Sequence, residues 1–599
     1  MVEAVLVTRA DWRNLTAADV PAIDNVLALT PNARSVAEDG PWSVIDAMSR
    51  YADCAEARTV ARVTKARRAA LAAFVPASPA EREIVIDQIN RVAYGACRLW
   101  YSLGAAGPWL VPAGDDFTLE TERTDAFRSV ARHFLTPKIA GEAKAARIAP
   151  PPFADLYRLL RRLALRPHRH SQARLVLGTA KEQFGLFQAF GKQGLVVRSL
   201  VVGLPRSGWR EYLKLGREIV RASNPHGMVQ VSMVDSPDDK AGSRLADRAV
   251  ASMSDPVIRF PLELYRDLLA YKFARLPSLR EEAERIVASY DPHAFIAAEV
   301  SHIQSYVLAE ACGDIGAPRV VMSRNALAPP EGALAYDGCV GYLRARYPDG
   351  LVDEPLFFSP AGGKAARVAF SEPVRSSIRP IVARPVAPPV ARPPGERLIL
   401  LADTYAAWWF PHSYVFLTGD AFVTVSRALA RAVDRMKDTR LLIRAKYKPE
   451  CDLEALTKLV APPANCEIKM RDVPFDEDLA RADLLVSFHS TTVEEAIFAR
   501  KPVLLWGATS RYSFLPARDE LPTRDDRSVL YRARKAAQLP SMIQAILDAH
   551  TGRPLEDAEI APYRWPADTP GIDALARELG TRVARQSVSH QKEESLVPL

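Results

Sequence analysis

Four consecutive residues, His489, Ser490, Thr491 and Thr492, hold the densest chemistry in the chain. They stand between a short apolar run, Leu484 to Phe488, and a stretch of helical spacing, Thr492 to Phe498. Lys501-Pro502 then restarts the chain before a second apolar run, Val503 to Trp506. Strand, polar turn, helix and strand form a βαβ unit, which implies a parallel sheet. The polar residues thus fall at a strand's carboxyl end and a helix's amino end. Free backbone N–H groups, the positive helix end and several hydroxyls there make an anion site, and nucleotide phosphates are its commonest occupants. The plainer alternative is that Ser490 or Thr491 caps the helix. A second cluster, Arg444, Lys446 and Lys448, closes the strand expected over Arg440 to Arg444. Three cations on the same sheet edge suit a further phosphate contact, with a solvated basic turn as the alternative.

The pattern Asp483-x-x-Val-Ser-x-His-Ser-Thr-Thr-x-x-Glu-Ala, followed by Lys-Pro-Val, resembles the donor-binding unit of GT-B glycosyltransferases. It is most similar to bacterial surface-polysaccharide enzymes: capsule Kdo transferases, polysialyltransferases and polyol-phosphate transferases. The resemblance implies that Ser490, Thr491 and His489 contact the donor phosphates and that Glu495 accepts from ribose hydroxyls. Retaining families with paired glutamates place the first one eight positions before the second, where this chain has Ser487; inversion is therefore favoured. Lys448-Pro449 matches the start of the family's Lys-Pro-His-Pro, but the histidine is absent. Glu38-Asp39-Gly40 resembles the short acidic motif in which polysialyltransferases carry their catalytic base. Asp115-Asp116 is a second acidic pair, and acidic pairs beside glycine are also ordinary turn chemistry.

The elements that must hold these residues divide the chain into five parts. Residues 1–165 read as an α/β region of the acceptor half, with strands over Ala4–Thr8 and Asn25–Thr30 and helical periodicity over Trp42–Phe74 and Ile84–Leu103. Residues 166–372 read as a first Rossmann-like, acceptor domain. Strands are expected at Leu175–Gly178, Leu195–Val202, His226–Met233, His293–Val300 and Val320–Met322, alternating with helices that include Glu182–Gly194, Trp209–Ser223, Leu262–Tyr290 and Gln304–Cys312. Glu299, His302, Arg324 and Asn325 fall at strand carboxyl ends, so Glu299 and His302 join Glu38 and Asp39 as candidate bases. Residues 373–396 are a Pro/Arg-rich extended linker. Residues 397–552 are the nucleotide-sugar donor domain, in which Arg511 and Tyr512 are further candidates to line the cleft. Residues 553–599 form a tail whose helix, Ile572–Ala584, would return to the first domain as GT-B chains often do. The fold class expected is α/β and GT-B-like: two doubly wound Rossmann-type domains facing a cleft, with an extra N-terminal α/β region.

At 599 residues, 48% hydrophobic and 25% charged, the chain has the composition of a soluble multidomain protein. No apolar run approaches the roughly 20 residues of a membrane helix, and the first residues lack a signal peptide's pattern, so a cytoplasmic protein is expected. Six scattered cysteines without a CxxC pair indicate neither a disulfide framework nor a zinc site. The net charge of +8 lacks the clustering of a nucleic-acid binder, although the Arg-rich linker would suit a peripheral contact with an anionic membrane. The function expected is inverting, metal-independent transfer of a sugar from a nucleotide-sugar donor to a surface polysaccharide or lipid-linked glycan, with no separate cofactor. The competing functions are polyol-phosphate transfer, UDP-sugar 2-epimerisation, and a non-catalytic nucleotide-sugar-binding scaffold.

Overall fold

The computed structural model describes residues 2–18, 22–50, 53–73, 78–104, 107–146, 174–178, 189, 191–193, 195–199, 238–297, 300, 302–323, 343, 347–348, 350–370, 372, 378–380, 395–402, 405–406, 417–446, 448–470, 474–488, 490–507, 516–566 and 568–582. Three sheets, two of them wholly parallel, organise them. The N-terminal sheet has the order β3-β2-β1-β4-β5, from Glu3–Leu6 (β1), Asn25–Ala28 (β2), Ser43–Asp46 (β3), Trp109–Ala113 (β4) and Asp116–Glu120 (β5). Only the β4–β5 hairpin is antiparallel. Ala4, Leu6, Val26 and Ala28 pack beneath the helices Arg9–Ala17 and Pro31–Ala37. Val5, Val7, Leu27 and Val111 point the other way, under the helices Asp53–Ala73, Pro79–Ser102 and Arg123–Ala146. This alternation is the period-2 signature of a sheet covered on both faces. The region read only as α/β is thus a third doubly wound unit. Its third strand was hidden at the head of the helical stretch expected from Trp42, because four residues are too few to show a period.

The middle sheet has six parallel strands in the order β11-β10-β9-β8-β6-β7: Arg174–Gly178 (β6), Leu195–Ser199 (β7), Ala294–Ala297 (β8), Arg319–Ser323 (β9), Glu354–Phe357 (β10) and Arg379–Pro380 (β11). The edge strand β11 lies inside the segment read as a linker, and a proline is tolerated there because an edge N–H need not pair. The helix expected over Trp209–Ser223, the strand over His226–Met233 and most of the Pro/Arg-rich segment lie outside the described residues. One face of this sheet, with Phe295, Ala297 and Val321, joins a helical layer shared with the N-terminal unit. The other face, with Ile296, Val320, Met322 and Leu356, is covered by Ile572, Leu575, Ala576 and Leu579 of the helix at residues 572–582.

The third sheet has the order β16-β15-β12-β17-β18-β19, all parallel. Its strands are Arg397–Ala402 (β12), Thr439–Ala445 (β15), Cys466–Met470 (β16), Leu484–Ser487 (β17), Val503–Leu505 (β18) and Leu530–Arg532 (β19), and a separate two-stranded pair is formed by Tyr405–Ala406 (β13) and Leu417–Thr418 (β14). Ile399, Leu401, Leu441 and Ile443 face the helices Gly419–Asp434 and Leu539–His550. Leu398, Leu400, Leu442 and Leu485 face Phe475–Arg481 and Thr492–Phe498. Asp483 fixes the start of this arrangement, its carboxylate accepting from Leu398 N at 2.8 Å while its own N–H donates to Leu398 O at 2.8 Å.

Candidate functional site

Counted in chain order, the third sheet reads 3-2-1-4-5-6, so its connections leave in opposite directions from β12 and β17. Ligands of open α/β sheets gather outside the carboxyl ends of such a strand pair. Here that place is occupied by the Ser490–Thr492 turn. The Thr492 hydroxyl donates to Ala402 O, the last residue of β12, at 3.0 Å and lies 3.3 Å from Ser487 Oγ at the end of β17. It therefore ties the two strands across the crevice. Ser490 Oγ accepts from Thr492 N at 3.4 Å, a long cap bond, and Ser490 is 8% exposed. Thr491 is half-buried, and its side chain makes no cap bond to the helix. Glu495 stands half-buried in the first helical turn, its N–H donating to Thr491 O at 3.2 Å. His489, Arg511 and Tyr512 lie outside the described residues.

The cationic turn after β15 divides in two. Arg444 is 4% exposed and ion-paired with the buried Asp478, which also accepts from Lys469 at 2.9 Å. It is held inside the unit rather than presented at the edge, because burying its charge requires a carboxylate partner. Lys446 is exposed and Lys448 half-buried in a short turn that bridges to Cys451. Within that turn the Glu450 carboxyl is buried; burial pushes its pKa up, with the charges of Lys138 and Lys448 opposing.

The N-terminal unit grips this same turn. Asn32 Nδ2 donates to Pro449 O at 2.9 Å, Asn32 Oδ1 accepts from Asp452 N at 3.2 Å, and Asn32 N donates to Glu450 O at 3.1 Å. Arg9 pairs with Asp452 at 3.0 Å and Glu454 at 3.3 Å. Glu38 and Asp39 belong to this junction. Glu38 pairs with Arg34 at 2.7 Å and with Arg427 at 3.5 Å, and Asp39 pairs with Lys458. Both acids thus pair with cations of the third unit across this junction. Asp115 is exposed in the β4–β5 hairpin turn and Asp116 is exposed at the start of β5. His302 is exposed at the start of the helix Ile303–Asp314, while Glu299, Arg324 and Asn325 lie outside the described residues.

Two features escaped sequence reasoning. Asp11, 1% exposed, meets His133 Nε2 at 3.0 Å. Its sequence signal, Thr8-x-x-Asp11, reads as a capping box, and that box is present; nothing in the sequence joins it to a histidine on a distant helix. Glu494 reaches out of the third unit to the hydroxyl of Ser359, which caps the helix Pro360–Ala369 beyond β10. Burial pushes the Glu494 carboxyl up to about 7, Ser359 opposes this and Glu495 adds to it.

Among the described residues no group of three or more His, Cys, Asp or Glu could hold a metal ion, and no helix is long and apolar enough to cross a membrane. No family model and no curated protein matches the chain. Among solved structures it is similar to a glycosyltransferase from Rickettsia africae (11% identity, 71% of this chain and 100% of that one, TM-score 0.36). It is similar to MnaA of S. aureus in complex with UDP (10%, 71% and 97%, 0.36). A further similar structure is HepE of Anabaena in complex with UDP and glucose (9%, 70% and 100%, 0.36).

Proposed function

We propose that the chain is a glycosyltransferase that moves a sugar, with inversion and without a metal ion, from a nucleotide-sugar donor to a surface polysaccharide or lipid-linked glycan acceptor. The observation that carries this is the Ser490–Thr492 turn, seated across the β12/β17 crevice of a 3-2-1-4-5-6 parallel sheet. In this mechanism the Thr491 and Ser490 hydroxyls, with the N–H groups of the turn, donate to the donor phosphates. Thr492 holds the turn to Ala402. Glu495 accepts from the ribose, and Lys446 and Lys448 balance the charge that grows on the leaving phosphate. Donors fixed before the reaction begins need not reorganise as that charge develops, which lowers the barrier.

The test is thermal stability against CMP-, UDP-, GDP- and CDP-sugars. A ligand that binds only the folded state at a hundred times its Kd stabilises by about 2.7 kcal/mol, which corresponds to a rise of roughly 5–10 °C. Ser490→Ala/Thr491→Ala should remove the shift and the turnover while leaving the unliganded Tm within a few degrees. A shift unchanged in that variant would move the phosphate site elsewhere. No shift with any sugar nucleotide at millimolar concentration would overturn nucleotide-sugar binding, and with it this reading.

A further inference from the structure

Glycosyl transfer with inversion needs a group that removes the acceptor's hydroxyl proton. We propose that His133 is this base and that Asp11 is its positioning residue; the proposal rests on the glycosyl-transfer reading.

The pair is built from β1 upward. As the chain leaves β1, Val7 N and Thr8 N donate to Asp11 Oδ2 at 2.9 and 2.7 Å, and Asp11 completes its capping box with Thr8. These bonds fix the carboxylate and leave Oδ1 facing His133 Nε2 at 3.0 Å. Burial pushes the Asp11 pKa up, but the hydrogen bond and charge of His133 and the two backbone donors hold it below the ordinary carboxylate range. An ionised carboxylate at Nε2 keeps the ring proton on that nitrogen, so Nδ1 carries the free lone pair. The His133 side chain is 19% exposed, and among the described residues Asp11 is its one ion-pair partner. Arg132, its neighbour on the same helix, is engaged elsewhere, over the Phe260 ring.

Position joins this pair to the donor unit. Asp11 lies just beyond the carboxyl end of β1, beside the β1/β4 switch of the N-terminal sheet. Two residues earlier, Arg9 reaches Asp452 and Glu454 of the donor unit. The helix bearing His133 continues to Lys138, whose charge acts on Glu450 beside Lys448. The pair and the cationic turn thus border one junction. Glu38 and Asp39, at the same junction, are already paired with Arg427 and Lys458.

In the step itself a lone pair of the acceptor oxygen forms the new bond to the anomeric carbon, and the hydroxyl proton passes to His133 Nδ1. The bond from the anomeric carbon to the donor phosphate oxygen breaks, and its electron pair leaves with the nucleotide. The imidazolium, stabilised by Asp11, returns its proton to water.

The test measures nucleotide released from the sugar nucleotide that raises Tm, with water and a panel of small saccharides as acceptors. His133→Gln should keep the donor's Tm shift and lose about 10²–10⁴-fold in kcat, the usual contribution of a general base. The acid limb of the kcat/KM profile should vanish with it. Asp11→Asn should lower kcat with KM little changed. Turnover within about threefold of the unmodified chain in His133→Gln, with the acid limb intact, overturns the proposal while leaving glycosyl transfer standing. An unmodified chain that neither binds nor cleaves any sugar nucleotide overturns both. Histidine ¹⁵N spectra of the unmodified chain need no variant to fold: the proposal requires the Nε2–H tautomer for His133 at pH 8, and an Nδ1–H tautomer sinks it.

Discussion

Glu494 shows how one carboxyl can tax a fold that needs it in place. One of its oxygens is enclosed without a partner, and burial pushes its pKa up from 4.5 to about 7. The folded state therefore binds this proton more tightly than the unfolded chain, and stability falls as pH rises from about 4.5 to 7. Glu494→Gln should raise Tm at pH 8 and leave it nearly unchanged at pH 4.5, the difference amounting to at most about 3 kcal/mol; equal changes at both pH values in a thermal scan would show that the group is not enclosed. Residues of this kind were hard to see in the sequence. Ser490–Thr492 was legible because a strand, a hydroxyl run and a helix are contiguous there. Arg444 read as a free cation because its partner Asp478 lies on a helix after the next strand. The Asp11–His133 pair depends on the packing of two helices against one sheet, which no local pattern records.

At the level of elements, the turn that carries Lys446 and Lys448 depends on a helix from another unit. Asn32 offers its side-chain amide as a peptide substitute, donating to one side of the turn and accepting from the other. Asn32→Ala should weaken nucleotide-sugar binding about tenfold, the effect of losing one or two neutral hydrogen bonds, as read by titration calorimetry. Lys458→Ala breaks only a largely exposed ion pair and should change affinity by less than about twofold; equal losses in the two variants would mean that docking in general, not the Asn32 bonds, shapes the turn. The strands of the third sheet were legible because buried parallel strands are continuous apolar runs, as in Leu398–Ala402. The β4–β5 hairpin was not, since β5 is mostly exposed and carries no apolar run.

Across the whole molecule the helix at residues 572–582 closes the chain back onto the middle sheet. Four charged groups pin it: Arg379 bonds Glu354 at 3.2 Å and Glu578 at 2.9 Å, and Arg582 bonds both glutamates. Trp565, on the way there, donates to Phe357 O at 2.8 Å. Leu579 is 1% exposed in this contact. Leu579→Ala should cost about 2–4 kcal/mol, seen as early proteolysis of the middle unit, whereas Arg582→Ala should cost less than about 1 kcal/mol. The period of the apolar residues makes such a helix legible; its destination was supplied by the family resemblance, because amphipathicity says that a face is buried but not against what.

That return also sets a timetable. Leu356 and Ile572 belong to one apolar cluster although 216 residues separate them in the chain. At ordinary rates of bacterial and eukaryotic synthesis this interval lasts roughly 10–40 s. Throughout it Ile296, Val320, Met322 and Leu356 are already made while the side chains that will cover them are not. A newborn chain thus carries an open apolar sheet face while the entire third unit is being translated, and its yield in a cell depends on what shields that face in the meantime.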